Sequence, residues 1–166
     1  MKMNIKIISI LSLLAAAACS SSSSLSSEEA RSLALQIVPG TLESIEATVD
    51  GALPVWAARV RVPNGALLQV ELDRDYGSLF LVEDEAGPFT YELAPAVAGQ
   101  LSFGEAKTKA LAAKDGAIVA WNLKLKSPAY RHEFYVRDSA QQLWEIKLAS
   151  TTGEIPIDPE VPSGAH

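Results

Sequence analysis

Few residues of this chain could do chemistry. Its 166 residues include one cysteine, Cys19, and two histidines, His132 and the C-terminal His166. A disulfide framework or a thiolate zinc site needs at least a second cysteine, so both are excluded. No cysteine or second histidine lies near His132 in sequence, and alternation puts it on the inward face of a strand. It therefore reads as a half-buried structural histidine rather than a general base. Asp73 and Asp75, with Glu83, Asp84 and Glu85 further on, gather carboxylates that could suggest calcium. The Asp-x-Asp-x-Asp-Gly loop with its closing glutamate is missing, so a solvated acidic turn is expected. No serine lies in a Gly-x-Ser-x-Gly elbow, and no glycine loop of the phosphate-cradling kind occurs. The expectation is a protein without catalytic residues, metal or cofactor.

Charge narrows the partners. The net charge is −6, or −8 once an N-terminal segment carrying Lys2 and Lys6 is removed. With no basic cluster, binding to a phosphate backbone is not expected. The apolar share of 48% is ample for a packed core and rules out wholesale disorder.

The N-terminus reads as an address. Two lysines precede an uncharged, largely apolar run from Ile7 to Ala18, too short for the roughly 20 residues of a membrane span. A positive start, a short apolar stretch and small residues before a break are the parts of a secretory signal. Cys19 directly follows Ala16-Ala17-Ala18, and this arrangement resembles a bacterial lipoprotein signal, with Ala16 where leucine is usual. The resemblance implies lipidation of Cys19, and Ser20 behind it implies an outer-membrane anchor facing the periplasm. Ordinary cleavage after Ala18, leaving a free thiol, is the alternative. Ser20 to Ser27 holds seven serines and a leucine, a composition expected to form a flexible tether. Pro156, Pro159 and Pro162 mark a second polar tail.

The elements that would position any site come in two copies. At an offset of 76, Leu25, Ser26, Glu29, Ala30, Ala34, Leu35 and Gly40 align with Leu101, Ser102, Glu105, Ala106, Ala110, Leu111 and Gly116. Ser26-x-x-Glu29 and Ser102-x-x-Glu105 are capping boxes, and alanine-containing helical stripes follow. Gly40 and Gly116 stand where a left-handed helix stop is expected. The period then switches to two, in Ile45, Ala47, Val49 and Trp121, Leu123, Leu125, then Trp56, Ala58, Val60 and His132, Phe134, Val136. Leu68, Val70, Leu72 and Trp144, Ile146, Leu148 complete the pattern, so Trp56, Trp121 and Trp144 all read as core. A last short strand is expected over Leu79 to Val82 and around Ile155.

These features resemble the PepSY family. The closing motif Asp-x-x-x-Gly stands as Asp73-Arg74-Asp75-Tyr76-Gly77 before Ser78-Leu79, whereas the second copy keeps Thr152-Gly153 and has Ala149 for the aspartate. Glu29-Ala30, Glu105-Ala106 and Val38-Pro39-Gly40 also match. The resemblance implies an α+β fold of two cystatin-like units, each one helix packed on a three- to four-stranded antiparallel sheet. The expected organisation is a signal peptide at 1–18, a tether at 19–27, units at 26–83 and 101–157 joined by a linker at 84–100, and a flexible tail at 158–166. It also implies a non-enzymatic envelope lipoprotein that binds or restrains a protein partner, a peptidase being one candidate. A small-ligand-binding or sensing lipoprotein with a cleft between the units is the alternative. Strand addition at a sheet edge would supply partner affinity, through Val55 to Val62 or Gln142 to Leu148, with Pro54, Pro63 and Pro128 as edge guards.

Overall fold

The computed structural model describes residues 24–156 and 159–162. Each helix begins where the sequence places a cap. In α1 (Ser27–Ile37) the Ser26 hydroxyl accepts from the Glu29 amide, and the Glu29 carboxylate accepts from the Ser26 amide at 2.9 Å. In α2 (Phe103–Ala113), Ser102 and Glu105 repeat the arrangement, the return bond measuring 2.8 Å. Ala30 and Ala34, like Ala106 and Ala110, are fully buried, because a methyl group lets a helix lie close on a sheet.

The strands are β1 (Thr41–Asp50), β2 (Leu53–Arg61), β3 (Leu67–Asp73), β4 (Leu79–Ala86), β5 (Ala117–Lys126), β6 (Ala129–Arg137) and β7 (Leu143–Ala149). Both helices and six of the strands recur at the offset of 76, including the irregular step between Leu42 and Ser44 that returns between Ile118 and Ala120. Among the described residues, only β4 has no strand as its counterpart.

That unmatched strand overturns the expectation of two separate units. β4 pairs with β3 on one side and with β5 on the other, so all seven strands form one antiparallel sheet in sequence order. The β4–β5 join is short: Leu81, Val82 and Glu83 face Lys124, Leu123 and Asn122. Most buried apolar side chains of both halves accordingly form one cluster, running from Ala30 and Val70 through Val82 to Trp121, Phe134 and Ile146. Tyr91 and Leu93, in the connection after β4, are buried in it as well. The sheet also curls. Lys124 on β5 reaches Asp50 at the far end of β1, Nζ to Oδ2 3.0 Å, although three strands lie between them.

Gly40 and Gly116 do not serve as left-handed stops, since the helices are capped by Val38 and Lys114 in extended conformations. Their role is close approach: a Cβ on Gly40 would overlap the carbonyl of Arg61, and one on Gly116 that of Arg137. Left-handed glycines recur at the same place in both halves at Gly77 (φ 69°) and Gly153 (φ 68°), in the turns after β3 and β7.

Candidate functional site

His132 shows what the inward face is for. It is 1% exposed, and its Nδ1 accepts from the Trp121 indole N–H at 3.2 Å, which leaves the proton of the neutral ring on Nε2. Burial pushes its pKa down to about 4, the Leu101 backbone opposing weakly. A neutral imidazole enclosed by Trp121, Leu123 and Phe134 is placed to pack. The space there is a cavity of about 10 Å³ bordered by Ile37, Val82, Leu93 and Phe103, room for about one water. β4 and the aromatic side chains fill the junction itself, and beside it a wider cleft of about 380 Å³ is lined by Leu33, Ile37, Leu79, Ala94 and Val97. Phe103 meets Trp121 edge-on at 4.8 Å and lies tilted against Tyr91 at 4.6 Å.

The tryptophans separate into two kinds. Trp121 is 2% exposed, as the alternation requires. Trp56 and Trp144 are half-buried at the rim of the core, and each is held by its indole N–H. Trp56 donates to the Leu25 carbonyl at 2.8 Å, under the Arg74 guanidinium. Trp144 donates to Asp138 Oδ2 at 2.8 Å, with Lys114 Nζ over its ring at 3.8 Å. The Trp144 bond, foremost, holds the Asp138 carboxyl below the usual range.

The acidic residues disperse. Asp73 Oδ1 accepts from the amides of Asp75 and Tyr76 at 2.8 and 3.0 Å, which closes the turn that the Asp-x-x-x-Gly motif encodes. Glu85 pairs with Arg59 at 3.0 Å, Asp84 is buried beside the Tyr91 hydroxyl, and Glu83 points to the other face. Among the described residues no three His, Cys, Asp or Glu side chains are grouped to hold a metal ion. On the face without helices, Glu71 is raised by burial and then by Asp50, and Tyr135 by burial and its glutamate neighbours.

The remaining chemistry belongs to the backbone at the sheet edges. Edge residues direct alternate N–H and C=O groups away from the sheet, and those groups can pair with an added strand. Strand order corrects the sequence reading: β2 lies between β1 and β3, so Val55 to Val62 is interior, and Pro54 and Pro63 guard no edge. The two edges are β1 and β7, the second covering most of Gln142 to Leu148. β1 is exposed along most of its length, with Glu43 paired to Arg61 and Val49 60% exposed. β7 is partly occupied. Glu145 and Glu160 exchange both backbone hydrogen bonds, at 2.7 and 3.1 Å, and Lys147 Nζ lies 2.6 Å from a Glu160 carboxylate oxygen. The segment expected to be a free tail thus supplies an antiparallel bridge, which its proline content conceals in the sequence.

Cys19 lies outside the described residues. Among those described, no helix is long and apolar enough to cross a membrane. Neither a protein-family model nor a curated protein sequence matches the chain. Among solved structures it is similar to a putative lipoprotein from Clostridium difficile 630, at 13% identity and a TM-score of 0.38, over 80% of this chain and 90% of that one. So distant a likeness carries neither fold nor function across.

Proposed function

We propose that the chain is a lipid-anchored protein of the cell envelope that binds an extended segment of a protein partner by strand addition, without catalysis. One observation carries the reading. β4 is held at its two sides by β3 and β5, so the edges of both halves of this sheet already accept a strand, and β1 and β7 are the corresponding edges left at the two ends. Main-chain hydrogen bonds give affinity in such a complex, and alternate side chains give selectivity.

The anchor half of the reading rests on Cys19 behind its alanine run and on the outer-membrane pattern at Ser20. A PepSY relationship belongs to the same proposal. It is supported by the Asp73 turn, whose carboxylate bonds explain why an aspartate opens that motif. A peptidase is the kind of partner this relationship would favour.

The test places a photo-crosslinking amino acid at outward positions of β1 and β7 and, as a control, at exposed Arg31 on α1, in the full chain in its native envelope. The reading expects adducts from the edge positions and none from the helix. Equal adducts from the helix would overturn it, as would turnover of peptide substrates by the purified protein. Intact mass of the mature protein tests the anchor separately: an unmodified thiol at residue 19 removes it.

A further inference from the structure

The β7 edge differs from every other pairing in the sheet because its occupant is made of residues ill-suited to a strand. β4 spans residues 79–86, and the offset of 76 places its counterpart at residues 155–162. The first copy reads Leu-Phe-Leu-Val-Glu-Asp-Glu-Ala, an uninterrupted strand; the second has proline at 156, 159 and 162. Proline has no N–H to give to a ladder. Strand alternation sets the consequence of each proline. Glu160 directs its backbone groups at β7, so Pro162, two residues on, shares that side and can donate nothing to it. Pro159 lies on the opposite side, where it denies a donor to any further strand. Among the described residues the occupant makes one bridge, at Glu145, and the ion pair to Lys147, whose ammonium is held above its usual range by Glu160 first and Glu145 second.

β7 itself has the features of a receiving edge. It is the counterpart of β3, which takes six paired residues from β4. Ile146 and Leu148 are fully buried, so a strand laid beside them extends an existing apolar surface. Lys147 supplies a cation on the opposite side of the strand.

We infer that the outer edge of β7 receives an extended, carboxylate-bearing segment of another polypeptide, and that residues 159–162 of this chain hold the edge as a weak, displaceable occupant. The inference rests on the strand-addition reading and names the edge, the competitor and the chemistry of the incoming strand. Its alternating aliphatic side chains face Ile146 and Leu148, and its carboxylate takes the place of Glu160 on Lys147. The proline-interrupted segment blunts the edge until such a strand arrives.

The experiment uses the full chain in detergent micelles and a labelled synthetic peptide with the sequence of Leu79–Ala86, the strand that the equivalent edge is seen to accept. Binding is read by fluorescence anisotropy and located by amide chemical shifts. Glu160→Lys turns an attraction at Lys147 into a repulsion and should tighten peptide binding about fivefold, the upper range for a surface ion pair. Pro162→Val restores a donor to the occupant and should weaken peptide binding. Lys147→Glu added to Glu160→Lys re-pairs the occupant, repels the acidic peptide and should abolish the gain, and shifts should fall on Leu143–Ala149. No binding, or binding unmoved by Glu160→Lys and Pro162→Val, overturns the inference. Shifts on β1 in place of β7 overturn it while leaving strand addition intact; peptide turnover would sink the strand-addition reading itself.

Discussion

The fourth strand of the first half is uninterrupted, whereas its counterpart in the second half is broken by prolines in sequence. After Gly77 the chain continues as β4, which pairs with β3 and then with β5; after Gly153 the described residues at the corresponding place give one bridge, at Glu160. The difference follows from a few side chains. Leu79, Phe80, Leu81 and Val82 favour a strand buried between neighbours, whereas prolines interrupt the later copy. A duplicated pattern therefore yields a closed seam in the middle of the sheet and a weakly occupied strand at its end.

The cores of the halves differ as well. Ile45, Ala47 and Ala58 in the first correspond to Trp121, Leu123 and Phe134 in the second, and Ser27 corresponds to Phe103. The second half is thus held by interlocking aromatic rings, the first by small aliphatic side chains under a closely laid helix. The largest expected effect of substitution follows from this. Phe134→Ala should cost about 3–5 kcal/mol in denaturant unfolding, against about 2 kcal/mol or less for Ile45→Ala at the half-buried counterpart of Trp121. Equal losses would mean that the halves do not differ in this way.

His132 gives the next effect, and it has no counterpart because Trp56 holds the equivalent place. Its folded pKa is lowered, so the neutral form is favoured in the folded state and its contribution is fully present above about pH 6.5. As the pH falls from about 6.5 towards 4, the unfolded chain takes up the proton first. About 3 kcal/mol should be lost over that window, because each tenfold difference in proton affinity between the two states is worth roughly 1.4 kcal/mol. His132→Gln should flatten this part of the stability–pH curve; an unchanged slope would place the loss elsewhere.

The caps should then behave alike. Ser26→Ala and Ser102→Ala should each cost about 0.5–2 kcal/mol, since both make the same reciprocal bonds. A large difference between them in thermal unfolding would show that one helix is held chiefly by packing. The smallest effect belongs to the turns. Asp73→Ala removes two acceptor contacts that the second copy never had at Ala149, and should cost about 1 kcal/mol.

Local features of this fold were legible and long-range ones were not. Capping boxes, the alternation that buries His132 and Trp121, and the offset of 76 each depend on residues close in sequence or on direct comparison of two segments. Whether Val82 pairs with Leu123 depends on what lies beside β4 once the chain has doubled back, and no local pattern encodes that. The segment before α2 concealed Tyr91 and Leu93 because Pro88, Pro95 and their neighbours resemble a surface connection, although both side chains are buried. The edges were misjudged for the same reason: Pro54 sits opposite Val49 inside a ladder, where its carbonyl is still used by the Arg74 amide at 3.0 Å. Trp144 falls between, since alternation placed it correctly on the apolar side but could not show that the sheet margin leaves it half-exposed.

The place where the tether joins the sheet has a mechanical consequence. Leu25 is fastened on both sides of its peptide, its amide to the Arg74 carbonyl at 2.7 Å and its carbonyl to the Trp56 indole. From residue 19 to residue 25 a fully stretched chain reaches about 20 Å, so a lipid at Cys19 would keep this corner close to the bilayer. Tension between that corner and a cargo on β7 would enter near β2 and β3 and travel across the strands to the far edge. It would cross the three-residue β4–β5 seam, where Tyr130 on the Leu79 carbonyl and Lys124 on Asp50 act as cross-ties. Under such a pull the short seam, rather than either half, is the joint that would part first.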